Sequence, residues 1–183
     1  LRHDGHAGAA DRMPADGRGK IEPFLGSLKI QEGFGAEPGK FINAASVDCD
    51  SKGRLYVGVE DGRILRLRSD GTGQEVFAST GGRPLGLDFD RTGSLIVADA
   101  ERGLLSVDGD GSVETLATQA EGVRFRFTDA VDVGSSGNVY FTDASFRFGP
   151  ADYRNDVIES RAHGRLLVYD PVRRDVQVLR KNL

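Results

Sequence analysis

With 183 residues, 38% of them hydrophobic and 28% charged, the chain has the makings of one globular domain rather than a disordered or membrane-spanning segment. A net charge of −4 lacks the basic excess of a nucleic-acid binder, and no apolar run approaches the roughly 20 residues of a membrane helix. The single Cys49 excludes an intramolecular disulfide and a cysteine-rich metal cage. The 25 glycines, about twice the usual share, point to many tight turns and so to β structure. Basic residues are 19 Arg and 5 Lys, a bias read as that of a GC-rich bacterial genome.

Residues 1–41 read as a tail. The first 20 are polar and Gly/Ala-rich and are expected to be disordered, with no signal peptide visible. Because the chain starts at Leu1 and not at Met, the compartment stays open between cytoplasmic and periplasmic or secreted. "KIEPFLGSLKI" from Lys20 is strand-like and a candidate outer latch strand.

From there the sequence repeats itself. "VDCDSKGRLYVGVEDGRILRL" from Val47, "LDFDRTGSLIVADAERGLLSV" from Leu87 and "VDVGSSGNVYFTDASF" from Val131 share an Asp, a Gly five residues on, then an apolar run. Asp48, Asp88 and Asp132 are spaced 40 and 44 apart, as are Gly53, Gly93 and Gly137. Each unit continues with a second Gly-led apolar run, at Gly62, Gly103 and Gly164. A last run follows: "EVFAS" from Glu75, "VETLAT" from Val113 or "VQVLR" from Val176. Four short strands every 40 to 44 residues is the period of a β-propeller blade. The expected fold class is all-β, with blades at about 42–80, 81–119 and 120–181, the last carrying a helical insert at about 149–163. Three blades cannot close a ring, so the chain reads as a fragment whose remaining blades come from missing sequence.

The motifs "GRLYVGVEDGRILRL", "GGRPLGLDFDRTGSLIVADAERGLLSV", "FRFTDAVDVGSSGNVYFTDASFRF" and "HGRLLVYDP" resemble strictosidine synthase-like proteins, within the wider group of gluconolactonase and senescence-marker-type propellers. The resemblance covers about residues 43–181 and implies a six-bladed propeller, of which this is the N-terminal half. It implies a small-molecule substrate and leaves three functions open. One is hydrolysis of an ester or lactone, one is metal-independent condensation of an amine with an aldehyde, and one is a non-catalytic ligand-binding propeller. In the condensing enzymes the catalytic Glu lies in later blades, past Leu183.

Topology places the site. Connections entering each inner strand, and those following the second strand, share the face where the central channel opens. Counting back eight from each repeat Gly gives the entry positions Ala45, Leu85 and Asp129. The resemblance implies that metal-dependent relatives hold a calcium-like ion with a Glu at the first and an Asn at the third. Here Ala45 replaces the Glu and removes a ligand, while Asp129 keeps an oxygen, so calcium is doubtful and Asp129 is the one metal candidate. The third blade's long connection begins at Asp143 and holds "GPADYRNDVIESRAHG", which reads as a short helix with Tyr153 and Val157 at i,i+4. Asp129, Asp143 and Tyr153 are the candidate substrate-pocket residues.

Other motifs are discounted. "DCDSKG" and "DFDRTG" resemble the start of an EF-hand loop but recur as hairpin turns without flanking helices. His163 stands alone, no G-x-S-x-G elbow or Walker loop occurs, and Cys49 is read as a core residue.

Overall fold

A computed structural model describes residues 44–183, so the 1–41 tail and its candidate latch strand lie outside the described residues. The fold is all-β, part of a six-bladed propeller. The first four-stranded sheet runs β1 (Ala44–Cys49), β2 (Leu55–Val59), β3 (Arg63–Leu67) and β4 (Glu75–Ser79). The second runs β5 (Pro84–Phe89), β6 (Leu95–Asp99), β7 (Gly103–Val107) and β8 (Val113–Ala117). A small hairpin of β9 (Gln119–Ala120) and β10 (Val123–Arg124) follows. The third sheet runs β11 (Thr128–Val133), β12 (Val139–Asp143), β13 (Arg165–Asp170) and β14 (Asp175–Lys181), with helix α1 (Tyr153–Glu159) between β12 and β13. Every sheet is antiparallel in chain order. The three first strands lie together, β5 packed between β1 and β11, which makes them the inner strands.

The repeat glycines do the turning. Gly53, Gly93 and Gly137 have φ of 74, 87 and 89°, a left-handed geometry that glycine adopts without steric cost. The turn aspartates bond their own backbone, and Asp50 Oδ2 also accepts from Arg54 Nε at 2.6 Å. Asp50 Oδ1 accepts from Lys52 N–H at 3.0 Å and Arg54 N–H at 2.9 Å. Asp90 Oδ1 does the same with Thr92 and Ser94, at 2.8 and 2.9 Å. These are Asx turns, as expected once the calcium-loop reading is set aside.

Two core clusters are shared between neighbouring blades, and a third lies within the first blade. Tyr56, Ile64 and Ala78 pack against Leu87, Leu95, Val97, Leu105 and Val107. Ile96 and Leu104 pack in turn against Val139, Phe141, Leu167 and Tyr169. The Tyr56 ring meets Phe77 and Phe89 edge-on at 5.0 Å each, contacts worth about 0.5–1.5 kcal/mol beyond burial. Cys49 corrects an expectation, for it is exposed and not in the core. Its counterpart Phe89 packs back onto the blade before it, and among the described residues no blade precedes Cys49.

Polar clasps tie the inner strands together. Asp48 Oδ2 accepts from Phe89 N–H at 3.1 Å, and Asp88 Oδ2 from Val133 N–H at 2.5 Å. Burial raises the Asp88 pKa above the ordinary 3.8; the Val133 N–H opposes this, and the Asp48 and Asp132 carboxylates add to it. A carboxyl with a raised folded pKa contributes its full stability below the unfolded value and loses it as pH climbs through the folded one. Asp88→Asn keeps a carbonyl acceptor for Val133 without the charge. Its stability relative to wild type is therefore expected to improve as pH rises from below 3.8 to neutral, read by urea denaturation at several pH values. A constant difference across that range would remove the charge from the account.

Candidate functional site at the inner-strand entries

Register places the entries of the inner strands beside the ends of the second strands. Ala44 pairs with Val59, Pro84 with Asp99 and Thr128 with Asp143. Just after each of these pairs the register shifts, between Ala44 and Ser46, Pro84 and Gly86, and Thr128 and Val131. A bulge leaves its extra residue unpaired and re-aims the side chain. The bulged residues are Ala45, Leu85 and the pair Asp129–Ala130. Ala45 and Asp129 are exposed and Leu85 is half-buried, so the three entries offer two apolar side chains and one carboxylate. Thr128 just before it is fully buried and donates its hydroxyl to the Asp99 carbonyl, fixing the β11 entry against the second blade.

Asp143 is held by a backbone turn and an arginine. It is fully buried. Its Oδ1 accepts from Arg126 N–H at 3.2 Å and Phe127 N–H at 2.9 Å, and its Oδ2 from Arg165 Nη2 at 2.5 Å and Nε at 3.2 Å. Arg165 is 3% exposed, lies over the Phe125 and Phe146 rings at 5.5 and 5.7 Å, and donates to the Arg124 carbonyl at 3.2 Å. The second blade has the same aspartate without the arginine. Asp99 Oδ1 accepts N–H groups of Arg83, Glu101 and Arg102 at 2.9–3.0 Å, and its buried Oδ2 has no partner among the described residues. Gly103 stands where the third blade has Arg165, and a Cβ there would meet the Ala117 carbonyl oxygen at 2.5 Å.

The insert starts beside the Asp129 end of the third blade and turns its polar side inward. Asp156 of α1 meets His163 Nδ1 at 2.7 Å and accepts from Ser145 Oγ at 3.1 Å. His163 is buried, edge-on to Phe146 and Phe148 at 5.3 and 5.9 Å. Glu159 pairs with Arg147 at 3.2 Å. The apolar side chains face out: Tyr153 is 48% exposed, Val157 74% and Ile158 80%. Asp129 and Tyr153 share no hydrogen bond or ring contact among the described residues. His163, expected to stand alone, is held by Asp156. Among the described residues no group of three His, Cys, Asp or Glu side chains is arranged to hold a metal.

These features have relatives. Residues 129–183 match the sequence profile of a family described as strictosidine synthase, and residues 46–67 one described as strictosidine synthase-like, N-terminal. The chain belongs to the strictosidine synthase-like family. It is 40% identical over 139 residues to the Arabidopsis thaliana protein strictosidine synthase-like 6, covering 73% of this chain and 38% of that one. It is 36% identical over 148 residues to the adipocyte plasma membrane-associated protein of Salmo salar, covering 70% and 35%. This strictosidine synthase-like chain thus spans less than half the length of the curated relatives it matches. Among solved structures it is similar to a gluconolactonase from Xanthomonas campestris, with a TM-score of 0.57 and 22% identity over 72% of this chain and 44% of the other. That likeness speaks for the propeller fold. No helix among the described residues is long and apolar enough to cross a membrane.

Proposed function

We propose that the full-length protein carrying this strictosidine synthase-like chain is a small-molecule enzyme that hydrolyses an ester or lactone at the channel mouth, with Asp129 as the working carboxylate of these three blades. The observation that carries the reading is the exposed Asp129 side chain on a bulge, its counterparts Ala45 and Leu85 apolar, with no hydrogen bond to its carboxylate among the described residues. Apolar side chains beside a single polar group suit a small organic substrate. A carboxylate there can take the proton of a water as its oxygen bonds to the substrate carbonyl. The proton then goes to the leaving alkoxide as the carbon–oxygen bond breaks.

A calcium-like ion takes six to eight oxygens, and the entry positions here supply Asp129 alone, with Ala45 and Leu85 beside it. The described residues therefore do not make a metal site by themselves.

The test is Asp129→Ala in the full-length protein, assayed on a panel of aryl esters and lactones. Hydrolysis should fall at least a hundredfold, within the range a general base contributes. Stability should change by no more than about 0.5 kcal/mol, as for an exposed residue. Undiminished hydrolysis in the variant would sink the role of Asp129. The second reading, condensation of an amine with an aldehyde, is supported by the match of residues 129–183 to the strictosidine synthase profile. Imine-derived product from an amine and an aldehyde, with no ester or lactone turnover, would favour it.

A further inference from the structure

The three inner-strand bulges are not built alike. Each adds a residue to the inner strand opposite the position five residues past the turn glycine, which is Gly58, Ala98 or Thr142. In the first two blades the ladder resumes at once, with Ser46 opposite Gly58 and Gly86 opposite Ala98. In the third it resumes only with Val131 opposite Phe141, and Ala130 drops out. The Ala130 N–H donates instead to the Thr142 side chain, 3.0 Å from Oγ1. Gly58 and Ala98 have no hydroxyl to offer. Of the three entries, this bond therefore belongs to the one that carries a carboxylate.

Two other groups confine the same bulge. The buried Thr128 donates its hydroxyl to the Asp99 carbonyl and so anchors the residue before Asp129. The bulge backbone also lies against Gly86, where a Cβ would come within 2.5 Å of the Asp129 carbonyl oxygen. Neither group is the partner of the Ala130 N–H, which is Thr142. That N–H belongs to the peptide that follows the Asp129 Cα. Its acceptor therefore sets how the peptide is turned, and with it where the Asp129 side chain points.

We infer that Thr142 is a positioning residue for Asp129. Its hydroxyl draws the Asp129–Ala130 peptide out of the ladder and fixes the direction of the carboxylate. Without the hydroxyl, Ala130 rejoins the ladder opposite residue 142, as Ser46 and Gly86 do in their blades, and the carboxylate is re-aimed. The effect on rate rests on Asp129 being the working base, whereas the effect on the bulge does not. Ala130 is exposed and Thr142 half-buried, so water can replace the lost acceptor and the fold is expected to tolerate the change.

Two variants of the full-length protein test this. Thr142→Val keeps the shape and removes the hydroxyl, and Thr142→Ser keeps the hydroxyl. On aryl esters and lactones, Thr142→Val should lower kcat by about tenfold or more and leave KM within about twofold, since a reacting group is misplaced and no substrate contact is lost. Thr142→Ser should recover most of that loss. An unchanged kcat in Thr142→Val, or a Thr142→Ser protein as slow as Thr142→Val, would overturn the positioning role. Crystal structures of the wild type and Thr142→Val give a readout that needs no activity. The wild type should keep Ala130 N–H on Thr142 Oγ1, and the variant should show Ala130 paired with residue 142 and the Asp129 carboxylate moved by about 1 Å or more. The same bulge in both would overturn the inference even if kcat fell. A shifted bulge in a protein whose wild type turns over no ester or lactone would uphold the inference about the bulge and overturn the hydrolase reading instead.

Discussion

Arg165→Ala should cost about 3–5 kcal/mol of folding stability, because it strands the buried Asp143 carboxylate. The second blade sets a limit on that figure. Asp99 persists with no arginine, but it has three backbone N–H bonds where Asp143 has two. Removing the guanidinium also leaves the Arg124 carbonyl without that donor and opens a space between Phe125 and Phe146. Those losses keep the expected cost near 3 kcal/mol at least, read as a shift in the urea midpoint with an unchanged slope. Replacing both partners, as Asp143→Leu with Arg165→Met, should recover much of it, since an apolar pair avoids burying two charges. If the single and double variants lose the same amount, the pair contributes by shape and not by charge.

The propeller was legible because its signals are local. An Asp, a Gly five residues on and an apolar run describe a turn and a strand wherever they occur, and three copies at nearly constant spacing leave few alternatives. Of the candidate site, strand counting could place one residue. Counting back from Gly137 reached Asp129, and the structure finds it exposed on a bulge. The burial of Asp143 was not foreseen, although parity could have shown it. Val139, Phe141 and Asp143 alternate along β12, and the first two are core. The same alternation puts Arg165 in line with Leu167 and Tyr169, so a charge at core parity announced a buried pair. Cys49 was misread because an apolar strand was taken as buried on both faces, whereas one face of an inner strand is covered only by the preceding blade. The Asp156–His163–Ser145 cluster had no sequence signal of this kind. It depends on how the insert folds back, and there the acidic side of α1 turned inward while the apolar side stayed out.

Gly86→Ala is expected to disturb the candidate site more than the fold. A Cβ at Gly86 would lie 2.5 Å from the Asp129 carbonyl oxygen, 2.8 Å from Val131 N and 3.0 Å from the Ala130 carbonyl carbon. All three are backbone atoms of the β11 bulge, so none can rotate away, and the inner strands must part. Overpacking of this kind costs about 1–3 kcal/mol, which a folded propeller can survive. The displaced atoms carry Asp129, and a shift of about 1 Å in a working group can cost on the order of a hundredfold in rate. The full-length Gly86→Ala protein should therefore stay folded at 25 °C yet lose kcat far beyond its unfolded fraction. The double variant Gly86→Ala/Asp129→Ala separates the routes. If Gly86 acts by positioning Asp129, the double variant should be no slower than Asp129→Ala alone, because residues acting as one unit are not additive. Full additivity would show that Gly86 works through the sheet and leaves Asp129 where it was.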